Sequence, residues 1–310
     1  MAKRDSTASF TNPMVSKISM LFAAICMGNV GLFVSLLQQY PIYTIVLLRG
    51  IFGTLFLFIF MIKSHSLSKE FLKDSFLSHW KLLLINGFAY PFVIFFYFSS
   101  IAISGYAIAA FLLYTSGIFF LFFLIFTKEE NVSKANIICF VLAIIGTAII
   151  MEFWNGNVFT NGVIFGLLSG LAYGIFIFTK KKIYNQRIKQ NLTMEMKGNF
   201  DIFLTFWATP FLIFSFLPLG FIDLFRLTLI DCIYSILLGF IPTALAFTLY
   251  NIGMKNDKGG NIVLISYFEP FMATINTAIF LHNLSFFTII GGSLILIANI
   301  IILKASPSKR

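Results

Sequence analysis

Residues 42–62 read IYTIVLLRGIFGTLFLFIFMI, an apolar run interrupted by a single charge, Arg49. At about 1.5 Å per residue, such a run crosses the roughly 30 Å hydrocarbon layer of a bilayer as a helix. Working outward, charges and turn residues mark further runs near 17–37, 81–100, 105–126, 135–152, 161–179, 200–217, 230–251, 260–281 and 285–303. Composition agrees: 59% of the 310 residues are apolar and 11% are charged, about half the charged share of a soluble domain. Backbone groups in lipid are satisfied only in helices or closed barrels, and continuous apolar runs without alternation select helices. The expected fold class is an all-α integral membrane protein of ten transmembrane helices. The run after Lys17 is too long for a cleaved signal peptide and reads as the first span.

The net charge of +10 points to topology, not to nucleic acid. Ten spans place twenty of the twenty-two basic residues on one side. They are Lys3, Arg4 and Lys17; Lys63, Lys69, Lys73 and Lys81; Lys128 and Lys134; Lys180, Lys181, Lys182, Arg187, Lys189 and Lys197; Lys255 and Lys258; and Lys304, Lys309 and Arg310. Arg226 alone falls opposite, with Arg49 inside a span. The positive-inside rule makes the rich side cytoplasmic, with both termini there and Lys180–Lys182 read as a topology signal. The expected location is a prokaryotic cytoplasmic (inner) membrane.

The chain also repeats weakly. A shift of 152 residues lays Gly87-Phe88 on Gly239-Phe240, Phe95 on Phe247 and Val132-Ser133 on Leu284-Ser285, although Ala109-Ala110 meets Asn261-Ile262. Residues 1–152 and 153–310 then hold five spans each. An odd number turns the second half upside down, giving a 5+5 inverted repeat of the kind many secondary transporters use.

Several motifs carry a resemblance: Gly28-Asn29 in the first span, Arg49 after Pro41, Gly87 with Ala102, and Glu130-Asn131-Val132-Ser133. In the second half they are Gly166 to Tyr173, Tyr267-Phe268-Glu269-Pro270, His282-Asn283-Leu284-Ser285 and Gly291-Gly292. In this order the chain resembles the drug/metabolite transporter superfamily, specifically its EamA-type members, from Lys17 to Leu303. It departs from their pattern at Met27 and Tyr173, where tryptophan is common, at Ser116-Gly117 in place of a proline, and at His282 in place of Glu. The resemblance implies a ten-helix inverted-repeat bundle, its cavity lined mainly by spans 1, 3, 4, 6, 8 and 9, with spans 5 and 10 peripheral.

Glu269, near the middle of 260–281, is the acidic residue deepest in a span, and an ionisable group there is expensive unless paired or functional. It is a candidate for a substrate cation or a coupling proton, with Pro270 expected to interrupt the helix beside it. Arg49 lies seven residues into its span, roughly 10 Å deep, and calls for a carboxylate, carbonyls or a substrate anion; a pair with Glu269 is conceivable. Asn29, Asn86, Tyr90, Tyr97, Tyr114, Tyr173, Tyr250, Asn251 and Tyr267 are candidate polar lining, whereas Tyr40, Tyr43 and Tyr184 read as interfacial. Gly166, Gly170 and Gly174, four apart, form a close-packing face. His282 reads as a solvated loop residue.

No phosphate-binding loop, metal-ligand cluster, cofactor motif or nucleophile–base set is legible, and the three cysteines have no metal or disulfide spacing. The expected function is a secondary-active carrier of a small organic metabolite, an amino acid or similar polar molecule, working by alternating access. A nucleotide-derived metabolite such as S-adenosylmethionine is the alternative substrate; a membrane scaffold or membrane enzyme is the alternative class. Expected partners are a small-molecule substrate, the lipid bilayer and a coupling proton, with a homodimer left open.

Overall fold

The computed structural model describes residues 13–127, 134–150, 154, 160–189, 199–255, 265–266, 268–281 and 285–304. Among these, structure is helical wherever it is regular, and helix covers part or all of each expected span. The first span is α1 (Pro13–Met27) and α2 (Val30–Leu36), broken at Gly28-Asn29. α3 (Ile42–Lys63) is the second, α5 (Trp80–Ser104) the third, and α6 (Tyr106–Leu113) with α7 (Ser116–Phe126) the fourth. α8 (Lys134–Ile150), α9 (Asn161–Lys189) and α10 (Phe200–Gly220) follow. The eighth joins α11 (Leu229–Gly239) to α12 (Ala246–Lys255) through a π-turn at Phe240–Leu245. α13 (Phe268–Asn276), extended by a π-turn at Thr277–Leu281, is the ninth, and α14 (Phe286–Lys304) the tenth. Seven helical stretches among the described residues are long and apolar enough to cross a membrane.

Two boundaries differ from expectation. The connection after Lys63 contains a surface helix, α4 (Lys69–Leu77), whose N-cap Ser68 accepts from the Phe71 amide. Phe71 is 2% exposed and stacks edge-on against Phe203 at 6.0 Å. The lysine triplet does not end the sixth span: α9 runs on to Lys189, with Ile183 and Tyr184 buried beyond it.

Numbered as the expected spans, the principal pairings between helices not adjacent in the chain are 1 with 8 and 9, 2 with 7 and 8, 3 with 6 and 7, 4 with 6 and 9, and 5 with 10. Exchanging the first five spans for the last five returns the same set. Spans 5 and 10, α8 and α14, pack mainly on each other, the Cys139 thiol lying 2.8 Å from the Ala298 carbonyl. The glycine face of α9 abuts α6 and α7: a Cβ at Gly170 would strike the Thr115 hydroxyl, and one at Gly174 the Phe119 Cβ. Small residues there allow the backbones to approach, because packing replaces the hydrophobic effect in lipid. Phe88, Phe92, Phe122, Phe126 and Phe214 face outward, an exterior suited to acyl chains.

Candidate functional site

A pocket within the bundle holds about 300 Å³ of space unfilled by atoms, part of it open to solvent, with room for roughly one or two waters. Met27, Val30, Val93, Ile94, Leu113 and Phe247 form its apolar wall, and Arg49, Tyr97, Tyr173 and Glu269 its polar part. These residues come from spans 1, 2, 3, 4, 6, 8 and 9, the expected set joined by span 2 through Arg49.

Glu269 is 3% exposed in the first turn of α13. Pro270 therefore sits in the first turn of α13, where a helix has no use for the missing N–H. The Tyr114 hydroxyl, from the α6–α7 junction, lies 2.6 Å from Glu269 Oε2 and 2.7 Å from the Ser266 carbonyl. A hydroxyl has one proton. With Glu269 ionised, Tyr114 donates to the carboxylate; with Glu269 protonated, the acid can donate to Tyr114 while Tyr114 donates to Ser266. The same three groups serve both protonation states.

Arg49 is 2% exposed. Its Nη2 donates to the Pro242 carbonyl at 3.2 Å, inside the π-turn, and its guanidinium carbon lies 5.4 Å from the Phe98 ring and 5.9 Å from Phe247. The π-turn shifts the backbone bonding register beside this proline. Nε and Nη1 of Arg49 make no hydrogen bond of good geometry among the described residues, although the Tyr90 hydroxyl lies near the guanidinium. No ion pair joins Arg49 to Glu269 there either, so the cavity presents a cation and a carboxyl group apart from each other. A guanidinium with two buried N–H groups unmatched carries a large desolvation cost that an incoming anion would offset.

The chain matches the EamA-like transporter family over residues 15–152 and again over 160–304. The chain belongs to the EamA-like transporter family. A transporter of Archaeoglobus fulgidus described as uncharacterized is 26% identical over 201 residues, covering 64% of this chain and 68% of that protein. A solved crystal structure, 14% identical, covers 96% of this chain and is itself covered completely, with a TM-score of 0.67; that likeness concerns the fold.

In this EamA-like transporter the expected site residues separate into two groups. Glu269, Arg49, Tyr97 and Tyr173 line the cavity, and Tyr114 reaches it through Glu269. Asn29, Asn86, Tyr90 and Tyr250 are not among the lining residues. Asn29 sits in the α1–α2 break, where Asn276 Nδ2 donates to the Gly28 carbonyl at 2.6 Å and lies 3.3 Å from Asn29 Oδ1. Asn86 ties α5 to α9 through the Phe176 carbonyl at 3.0 Å and the Thr179 hydroxyl at 2.9 Å. Tyr90 stacks on Phe176 with its edge against Phe247, and Tyr250 is fully buried on α12. Tyr267 and His282 lie outside the described residues.

Three features escaped the sequence reading. Asn276, which braces the α1–α2 break, stands in an apolar run as one amide among many. Phe247 is one phenylalanine of forty-one. Lys180 is fully buried, and its neighbour Lys181 is 5% exposed, so the triplet is more than a surface topology signal. The spacing of Phe176, Lys180, Ile183 and Tyr184 on one helical face was the available sign.

Proposed function

We propose that this protein is a secondary-active carrier of a small zwitterionic metabolite of the amino-acid class, moving it by alternating access. The observation that carries the reading is the separation of Arg49 and Glu269 within one apolar-walled cavity. A carboxylate would take the unmatched Nε and Nη1 of Arg49, and an ammonium group would meet Glu269. Arg49 and Glu269 act on each other through space but form no direct ion pair, and intramembrane charges so placed are costly to maintain without a ligand or ion to answer them. The pocket has room for only about one or two waters, so substrate entry requires movement.

Glu269 is also the coupling residue in this proposal, because Tyr114 and Ser266 accommodate it with or without its proton. The exchange symmetry of the helix pairings supports a two-fold relation between residues 1–152 and 153–310. An odd number of spans in each half would make that relation an inversion across the membrane. The distribution of lysine and arginine supports ten spans with both termini cytoplasmic, and a prokaryotic inner membrane is the proposed location.

Purified protein screened by thermal shift against amino acids, their amides and S-adenosylmethionine tests the reading. A ligand at 100 times its Kd stabilises by about 2.7 kcal/mol. Zwitterionic amino acids should stabilise and their amides should not. Stabilisation by S-adenosylmethionine alone, which carries the same zwitterion on an adenosyl group, would move the substrate to the nucleotide-derived class. Equal stabilisation by acids and amides would remove the role given to Arg49.

A further inference from the structure

Lys180 is the buried charge that the proposed carrier cycle leaves unused. Its side chain is fully buried on α9. The ammonium makes one hydrogen bond, 2.9 Å to Asn251 Oδ1, and no carboxylate stands within ion-pair distance among the described residues. Its other neighbours are ring faces: Phe176 at 4.3 Å, Phe247 at 5.2 Å and Tyr250 at 5.9 Å. Ring faces return part of the lost hydration of a cation, and Asp201 on α10 acts on it from beyond ion-pair distance, but an ammonium has three N–H groups, and a buried charge without a direct counter-charge is expensive.

The surroundings are built, not incidental. Asn251 is fixed from α10, its Nδ2 donating to the Thr205 hydroxyl at 2.6 Å and the Asp201 carbonyl at 3.0 Å. Its oxygen is thereby aimed at Lys180. Three helices converge on this one cation.

The position of Phe247 gives the arrangement a direction. One ring stands beside both Arg49, at 5.9 Å, and Lys180, at 5.2 Å, and it also lines the central cavity. Phe247, Tyr250 and Asn251 all lie on α12, directly after the π-turn at Phe240–Leu245, a feature that in other helices marks functional hinges. Beyond Lys180, α9 finishes beside α4, where Arg187 lies 3.8 Å from Asp74. The order from the cavity outward is Arg49, Phe247, Lys180 and the α4 end of the bundle.

We propose that Lys180 is a second carboxylate-binding position, on the α4 side of Phe247, which receives the substrate carboxylate from Arg49 when Phe247 is displaced. The inference rests on the amino-acid reading above and adds a place on the route. With a cation on each side of one ring, the carboxylate exchanges one charged partner for another and is never left bare in the apolar interior. Asn251, freed when the carboxylate arrives, keeps its two bonds to α10.

The test is flux of a radiolabelled mixture of L-amino acids in proteoliposomes whose orientation is read by protease protection of a terminal tag. Half-saturating concentrations are measured for entry from each face. Lys180→Gln should raise the value for entry from the α4 end about tenfold, the loss of one charge-assisted hydrogen bond, and leave the opposite face within about twofold. Lys180→Arg should restore most of the difference. If Gln at 180 prevents folding, Lys180→Met, an apolar side chain of similar length, carries the same comparison. Equal effects at both faces, or none, would overturn the second position while leaving the carrier reading intact. Absence of wild-type flux for the whole mixture would overturn both.

Discussion

The Tyr114 hydroxyl and Glu269 Oε2 stand 2.6 Å apart and come from opposite halves of the chain, 155 residues distant. The bond joins the fourth span to the ninth at the cavity wall, so a change in the charge of Glu269 is felt by both halves at once. In the carrier reading, that is where a proton would be counted against substrate movement.

Glu269→Gln keeps size and hydrogen bonding but cannot titrate. The variant should fold and insert, and uptake driven by a pH gradient in proteoliposomes should be abolished, with any remaining exchange independent of pH. Near-normal, pH-dependent uptake by this variant would reduce Glu269 to a hydrogen-bonding anchor. Tyr114→Phe leaves the carboxyl group without its donor and should destabilise by about 1–3 kcal/mol, read as a lower thermal midpoint.

Arg49 offers its ligand a planar fork. Lysine keeps the charge but loses the fork and the stacking on Phe98 and Phe247. Arg49→Lys should weaken the Kd of the stabilising ligand about tenfold, one bidentate hydrogen bond's worth, measured by isothermal titration. An unchanged Kd would show that the guanidinium only anchors the π-turn.

At the opposite end of the bundle from α4, Tyr40 donates to Asp231 Oδ2 at 2.7 Å, and Gln39 Nε2 to Oδ1 at 2.7 Å. Partial burial and then the neighbouring carboxylate push the Tyr40 phenol up to about 12, from about 10. A raised value means the folded protein holds this proton more tightly than the unfolded chain. The contribution is therefore complete below pH 10 and lost as pH rises from about 10 to 12. Thermal midpoints measured through this range should fall, and Tyr40→Phe should remove that alkaline component.

His79, at the start of α5, is 3% exposed and its Nδ1 lies 3.1 Å from Gln186 Oε1. Burial pushes its imidazole below the ordinary range. The unfolded chain takes up the proton first, so stability falls as pH drops below about 6.5. Acid titration of the thermal midpoint should show this limb in the wild type, and His79→Gln should flatten it.

Reporter fusions at Gln190 and Arg310 check the proposed orientation. Both should report cytoplasmic placement, and periplasmic activity at either would end the ten-span arrangement with both termini inside.

The helical class and the positions of the helices were legible because lipid imposes one rule on every backbone group, and apolar runs satisfy it visibly; seven of the stretches among the described residues are long enough to cross. Glu269 and Arg49 were legible for the same reason: charge inside such a run stands out. The remainder of the site was not. Asn29 and Asn86 look like lining residues, but Asn29 donates to the Ile25 carbonyl of its own span and Asn86 to a carbonyl and a hydroxyl of α9, and an amide's sequence position does not reveal which partner it finds. Lys180 was hidden by its neighbours, since a lysine triplet at the end of an apolar run carries the same signature as a membrane boundary. Arg49 and Glu269 looked like a conceivable pair by depth alone; the structure instead gives the guanidinium the Pro242 carbonyl.

The mutual packing of α8 and α14 has a consequence for biosynthesis. α8 ends at Ile150 and α14 begins at Phe286, so the ribosome completes one long before starting the other. At roughly 5–20 residues per second, α8 waits on the order of 10 s without its main neighbour. During that interval the flank destined for α14 must be covered by acyl chains or by the insertion machinery. Slow synthesis between these points would prolong the exposure of a half-assembled bundle.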